Sequence, residues 1–336
     1  MMSISLEDEL PVRRLPDDPA WLENFCFDGY DHRRDVGFWI HCGRWWRDHT
    51  IWREQVLVYL PGNTYLVHRA WGRRPSDRGP SAALLDLICE DPGAAWRIRY
   101  RGPARPTQSA ELQRGPLTEA EQYLLDLDLA FTSKRPVWQM TGIAGEKWGK
   151  FHTEQTGRIR GHIVYDGRTI EMDGLGWRDH SRGSRDVSGM GRHCWIHGNL
   201  SRGRSFALTT VDNLVGGAFV RGLDKSVIWE GAELHDAHCS SPPFLESSAM
   251  PPATYDMVLE YAGGRIEVFA DTVRCLPHST TRHMDCFDGV TPGQAHVVTY
   301  EQGTIFTVDG ERCDGHTERS YILGGLSRGG TLDPGG

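Results

Sequence analysis

The sequence predicts an all-β fold in two parts, an antiparallel sheet followed by an antiparallel barrel, with a single short helix between them. Three observations carry this. Strand-like runs recur at regular spacing through the first hundred residues, with turn formers and no helices between them. Only one segment has helical periodicity. From residue 148 onward, hairpin punctuation divides the chain into about eight to ten further strands, a number that suits an up-and-down barrel.

The first 20 residues are charged and proline-bearing and are expected to form an arm. A first β domain is expected over 21–145. Its strands run Val36 to Trp46, Ile51 to Leu60, Thr64 to Trp71, Ala83 to Cys89 and Ala95 to Arg101, divided by turns such as Pro61-Gly62-Asn63 and Asp91-Pro92-Gly93. A helix is expected near 118–131. Ala120, Tyr123, Leu124, Leu127, Ala130 and Phe131 recur at helical spacing, and Thr118 with Glu121 forms a capping box. The proline- and glycine-bearing stretch from Pro136 to Gly145 marks the domain boundary. The second domain, 146–323, takes its turns at Gln155-Thr156-Gly157, Asp166-Gly167, Ser201-Arg202-Gly203, Gly263-Gly264, Gln302-Gly303 and Asp309-Gly310. The glycine-rich residues 324–336 are expected to be a flexible tail.

Composition narrows the function. The 336 residues carry 37 Lys and Arg against 45 Asp and Glu, a net charge of −8 that disfavours a nucleic-acid partner. No run approaches the ~18 apolar residues of a transmembrane helix. The acidic N-terminus has no apolar leader, and the eight cysteines include no CxxC pair, so reduced thiols and a cytoplasmic location are expected. The same cysteine spacing, with no HExxH helix, gives no metal site. Gly174-Leu175-Gly176 lacks the third glycine of a dinucleotide fingerprint, and no nucleophile elbow is present. Twelve tryptophans, dense between Trp39 and Trp71, suggest a large aromatic-lined interior, either a shared pocket or packing between the two halves. Nothing in the sequence specifies an oligomeric state.

The candidate chemistry lies in Asp173 to Asp186, where Asp179, His180 and Asp186 are interleaved with Arg178, Arg182 and Arg185. Burial and pairing in such a cluster can separate the protonation states of acid and base. The alternative is a charged corner whose Arg–Asp pairs fasten a loop. Strand alternation puts His152 and Glu154 on one face, entering a cavity if that face points inward and solvent if it does not. In the same way His193, Trp195 and His197 share a face. Glu318, in the last strand, is a further site candidate or the structural partner of an arginine.

The blocks His152-Thr153-Glu154-Gln155, Gly176 to Asp186 and Gly315-His316-Thr317-Glu318-Arg319-Ser320 resemble those of the AttH and carotenoid 1,2-hydratase (hydroxyneurosporene synthase) superfamily. The resemblance is best over 148–321. At Arg182 the chain departs from the tryptophan that many of those relatives carry. The resemblance implies two lipocalin-like β-barrel halves packed together and a hydrophobic ligand such as a terpenoid, polyketide or steroid. It also implies hydration, dehydration, isomerisation or cyclisation without a cofactor.

On this reading Asp179 is the first choice of proton donor, with Glu154 or Asp186 second, and His180 or His152 activates water or removes a proton. Trp177, Trp195 and Trp148 offer ring faces to a cationic intermediate. His197 and Glu318 help bind substrate, and Arg178, Arg182 and Arg185 support the acids. The competing function is a lipid-binding protein without turnover. The two part on whether the carboxylates enter an enclosed cavity or pair with the arginines outside it.

Overall fold

A computed structural model describes residues 4–115, 121–143, 149–187, 189–200, 203–281, 285–290 and 296–323. Two short helices, α1 (Leu6–Glu9) and α2 (Ser109–Arg114), accompany two antiparallel sheets. The first sheet holds β1 (Trp21–Asp31), β2 (Val36–Trp45), β3 (Asp48–Leu60), β4 (Thr64–Gly72), β5 (Leu85–Asp91), β6 (Ala95–Thr107), β7 (Tyr123–Thr132), β8 (Trp138–Gln139), β9 (Phe151–Tyr165) and β10 (Arg168–Ser184). Its order is β10-β1-β2-β3-β4-β6-β7-β9, and pairing of β9 with β10 closes an eight-stranded barrel; β5 and β8 add to β6 and β9. The second holds β11 (Met190–Asn199), β12 (Arg204–Val215), β13 (Ala218–Glu230), β14 (Glu233–Cys239), β15 (Thr254–Tyr261), β16 (Gly264–Thr272), β17 (Leu276–Thr280), β18 (Cys286–Asp288), β19 (Val297–Val308) and β20 (Glu311–Ile322). Its order β16-β15-β14-β13-β12-β11-β20-β19 closes through β16 and β19, with β17 and β18 beyond β19. The fold is thus the all-β double barrel expected.

Strand periodicity explains most of the match. In β6, Trp96, Ile98 and Tyr100 point into the barrel while Arg97, Arg99 and Arg101 face out. The Asp166-Gly167 and Asp309-Gly310 turns both have positive φ at each residue (50° and 72°; 51° and 77°), which permits a tight hairpin of matching twist.

Several expectations are corrected. Residues 123–132 form strand β7 rather than a helix. Leu125, Leu127, Leu129 and Phe131 alternate inward with Asp126 and Asp128 between them, and these aspartates meet Arg97 and Arg101 across the β6 pair. The period of two outweighs the weaker helical spacing, and Thr118 of the expected capping box lies outside the described residues. Gln155-Thr156-Gly157 and Gln302-Gly303 are not turns but interior to β9 and β19. The boundary near 145 also fails, because β9 and β10 belong to the first sheet and the sheets divide between Ser184 and Met190. Part of the N-terminal arm is a plug. Glu9, 1% exposed, accepts hydrogen bonds from Trp96 Nε1 and Arg178 inside the first barrel. The 324–336 tail lies outside the described residues.

Both barrel interiors are filled. Phe25, Phe27, Phe38, Trp96 and Phe131 pack the first, and Ile196, Phe206, Leu208, Leu259 and Phe306 the second. A third apolar layer joins the two, built on Trp39, Trp138, Trp177, Trp195 and Trp229. Of the dense run from Trp39 to Trp71, Trp39 belongs to this layer, Trp52 packs in the first barrel and Trp71 is exposed. Trp138, Trp177 and Trp229 pack between the barrels, while Trp39 and Trp195 line a cavity there.

Candidate active site

The cavity encloses about 190 Å³ between the outer face of β1, β2, β3, β9 and β10 and the facing strands of the second barrel. Its position explains a sequence oddity. β1 is buried on both faces, its odd residues in the first barrel and its even ones, Asn24, Cys26 and Asp28, against the second. A polar outward face hid this strand from a hydrophobic pattern.

β10 crosses the site, so alternation sorts the predicted cluster. Asp179 and Ser181 line the cavity, while Arg178 and His180 point into the first barrel. His180 stacks on Phe25 at 3.9 Å, with Nε2 3.2 Å from Glu23 Oε1 and Nδ1 2.9 Å from the Asp8 carbonyl. Burial lowers its pKa against the pull of Glu23. As a candidate catalytic base His180 is therefore corrected to a residue that fastens the N-terminal segment inside the barrel, on the side of β10 away from the cavity. Arg178 pairs with Glu9 at 2.9 Å and donates to Gln155 Oε1, and Arg182 pairs with Asp8 and lies over the Phe151 ring. Neither touches the acid. Arg185 does enter the cavity, where it donates to Ser181 Oγ at 2.7 Å. Asp186 is exposed and does not line the cavity. Trp148 lies outside the described residues.

Asp179 sits opposite Glu154 across the β9–β10 ladder, with His152 beside both. His152 Nε2 is 3.0 Å from Glu154 Oε1 and 3.4 Å from Asp179 Oδ2. Glu154 is fully buried and accepts from Trp177 Nε1 at 3.0 Å, and from Trp195 Nε1 and Thr209 Oγ1 at 3.2 Å each. Burial would raise its pKa, but His152, with His197 and the Trp177 hydrogen bond, holds it below the usual value. Burial works against the His152 imidazolium too, yet Asp179 and Glu154 raise its pKa. Among the described residues Asp179 has no comparable set of donors. Burial pushes its carboxyl up to about 7, and the neighbouring Glu154 charge adds to this against the pull of His152 and Arg185. A carboxyl raised toward neutral pH beside an imidazole has the chemistry from which a proton donor can be drawn.

The other predicted residues take neighbouring places. Trp177 is fully buried and stacks on His197 at 4.3 Å, and His197 bonds Asp28 at 2.9 Å across the barrels. Trp195 and Glu318 line the cavity, with Glu318 Oε1 3.2 Å from His193 Nδ1. Glu318 thus pairs with a histidine, not an arginine.

Sequence reasoning missed the far wall. Glu301 holds His278 Nε2 at 2.9 Å and His316 Nε2 at 2.8 Å, and Trp39, Gln55, His278 and Cys286 line the cavity with it. One signal was available, since the Glu-Gln dipeptide of 154–155 recurs at 301–302. Among the described residues no three His, Cys, Asp or Glu side chains are arranged to hold a metal ion, and no helix is long and apolar enough to cross a membrane.

Solved structures share this architecture. A Nitrosomonas europaea protein assigned as an AttH aligns with a TM-score of 0.55 at 14% identity, over 90% of this chain and 92% of its own. CghA with bound Sch210972 aligns at 0.56 and 10% identity, over 91% and 89%. Kievitone hydratase from Nectria haematococca aligns at 0.52 and 10% identity, over 90% and 88%. The likeness is one of fold, and it meets the resemblance to the AttH and hydratase superfamily seen in the sequence. No curated protein sequence matches the chain. A family profile does, over residues 5–318, and the chain accordingly belongs to the family defined by the domain of unknown function DUF7064.

Proposed function

We propose that this protein is a hydratase-type enzyme that adds water to, or removes it from, a hydrophobic small molecule, with Asp179 as the general acid. One observation carries the reading. Asp179 faces the inter-barrel cavity with its carboxyl raised to about 7, and it is bonded to neither Arg178 nor Arg182. Carboxylates serving only to fasten the fold would be neutralised by arginine outside the cavity, as Glu9 and Asp8 are.

In the proposed reaction Asp179 protonates an alkene carbon, or the oxygen of a leaving hydroxyl. The positive charge that develops on carbon faces Trp195, whose ring contributes ~1–2 kcal/mol by cation–π attraction when water is excluded. The Asp179 carboxylate left behind, steadied by His152 at 3.4 Å, then takes the proton of the attacking water and is restored as the acid. If the cation instead loses a neighbouring proton the outcome is isomerisation, and if an internal alkene attacks it the outcome is cyclisation. The scheme uses side chains and water alone. A cavity of ~150 Å³ admits a benzene ring, so about 190 Å³ suits a ring-sized portion of a terpenoid, polyketide or steroid.

The test is a panel of such alkenes and alcohols incubated with the protein in oxygen-18 water, with products read by mass. The wild type is expected to convert at least one compound, and Asp179→Asn to bind it without product. Turnover retained in Asp179→Asn removes Asp179 from the mechanism. Ligands that stabilise the wild type but never react would instead support the carrier reading.

A further inference from the structure

The far wall of the cavity holds a group that the acid–base scheme leaves unused. Cys286 is 5% exposed and lines the cavity beside His278, two residues along the β17–β18 ladder, where Thr280 pairs with Cys286. His278 Nε2 is held by Glu301 at 2.9 Å, which leaves Nδ1 as the ring nitrogen with no bond to nitrogen or oxygen. Glu301 is in turn held by His316. The Cys286 sulfur lies 3.5 Å from Thr280 Oγ1, and thiol, imidazole and carboxylate line one wall of the cavity, the groups from which an activated nucleophile and its base are built.

The electrostatics agree. Burial opposes ionisation of Cys286, but the Arg53 charge and the His278 imidazole outweigh it and draw the thiol down to about 6. Burial likewise opposes the His278 cation, yet Cys286 and Glu301 raise it to about 10. Both shifts favour the thiolate–imidazolium form of the pair. The other seven cysteines all have their pKa raised, in each case chiefly by burial. None of the eight is in a disulfide.

A second observation points to a ligand. Trp39 Nε1 and both amide atoms of Gln55 are buried at the cavity wall with no hydrogen-bond partner, as is Arg185 Nε. Buried donors left unpaired are costly unless an acceptor arrives to meet them. Trp39 lies 5.7 Å from the His278 ring, ring centre to ring centre, so its indole shares the His278 end of the cavity. The required ligand therefore carries an oxygen acceptor close to a carbon that a soft sulfur anion can attack.

We propose that Cys286, positioned by His278 and Glu301, is a nucleophile that forms a reversible thioether with α,β-unsaturated carbonyl compounds entering the cavity. The sulfur lone pair forms the new bond to the β-carbon. The alkene π pair moves through the α-carbon onto the carbonyl oxygen, which the unpaired donors receive as an enolate. The His278 imidazolium then gives its proton to the α-carbon and is left neutral. No oxidant or reductant takes part, and the reverse sequence restores the thiolate. The inference shares the cavity with the hydratase reading but does not rest on it, because the adduct is read on the protein and hydration on the product.

The full-length protein is treated with cyclohex-2-en-1-one, and separately with iodoacetamide, across pH 5 to 9, and adducts are mapped by peptide mass. The expected result at pH 7 is a single adduct on Cys286. Its iodoacetamide rate should rise through a midpoint near 6, and the cyclohexenone adduct should be lost on dilution. Cys286→Ser should abolish that adduct, and His278→Gln should slow alkylation at pH 7 by about tenfold or more as the thiolate fraction falls. Modification of Cys275 or any other cysteine ahead of Cys286 overturns the proposal, as does a midpoint at or above ~8.5, the ordinary thiol value. Both readouts come from the wild-type protein, so they stand even where a variant folds poorly.

Discussion

Both barrels present a Glu-Gln dipeptide opposite a second carboxylate across a hairpin. Glu154 pairs with Asp179 between β9 and β10, and Glu301 with Glu318 between β19 and β20. The surroundings differ. In the second barrel three imidazoles serve the two acids, His278 and His316 on Glu301 and His193 on Glu318. In the first, one imidazole, His152, serves both, and the remaining donors all go to Glu154. Two buried carboxylates side by side cannot both be anions without cations to match, so the under-supplied pair keeps a proton. That proton falls to Asp179, the member with fewer donors and a face on the cavity. The hairpins thus differ in the number of neighbouring imidazoles, which holds Glu301 below the usual carboxylate range in one while Asp179 is raised to about 7 in the other.

Substitution of one cavity-facing acid in each hairpin breaks the comparison most directly. Asp179→Asn is expected to lower turnover of any accepted substrate ~10³-fold, within the range of general-acid contributions, whereas Glu318→Gln should change it by less than ~10-fold. Equal losses would erase the distinction. A pH profile sharpens it. With Asp179 as the acid, turnover should fall above pH 7 as its carboxyl ionises.

Next is a stability effect confined to the other face of β10. His180→Ala removes a buried partner of Glu23, which leaves that carboxylate with Arg44 and the Val12 amide and costs about 3 kcal/mol in unfolding free energy. Turnover per folded molecule should be unchanged. A selective loss of activity would return His180 to the chemistry.

Asp179 itself should cost stability. Its folded pKa, about 7, exceeds the unfolded value near 3.8, so the folded state binds the extra proton between those values and stability falls as pH rises through that window. Above pH 7 the penalty is complete. Asp179→Asn should therefore be more stable than wild type at pH 8 by up to about 4 kcal/mol, with little difference at pH 4. Denaturant titrations at the two pH values measure this, and a variant less stable at pH 8 would argue that the carboxylate fastens the fold.

Much of this was legible in the sequence, and what was hidden has physical reasons. Alternation in β9 put His152 and Glu154 on one face, and the density of charge in β10 drew attention to Asp179. The same alternation sends His180 to the opposite side, yet proximity in sequence paired it with Asp179. β1 and the true division between sheets were obscured because a strand lying between two barrels is polar where a barrel wall would be apolar. β7 was read as a helix because its leucines satisfy two periods at once. Cys286 and His278 sit on the short strands β17 and β18, too brief to show a pattern, and only the fold brings them to Glu301.

The central claim is that Asp179 holds its proton near neutral pH while Glu154 does not. Carbon-13 NMR of the aspartate side-chain carboxyls, titrated from pH 3 to 9 in wild type and Asp179→Asn, tests this without knowledge of the substrate. The account predicts one aspartate resonance with a midpoint near 7 that is missing from the variant. Titration of every aspartate below pH 5, or survival of the high-midpoint resonance in Asp179→Asn, would contradict it.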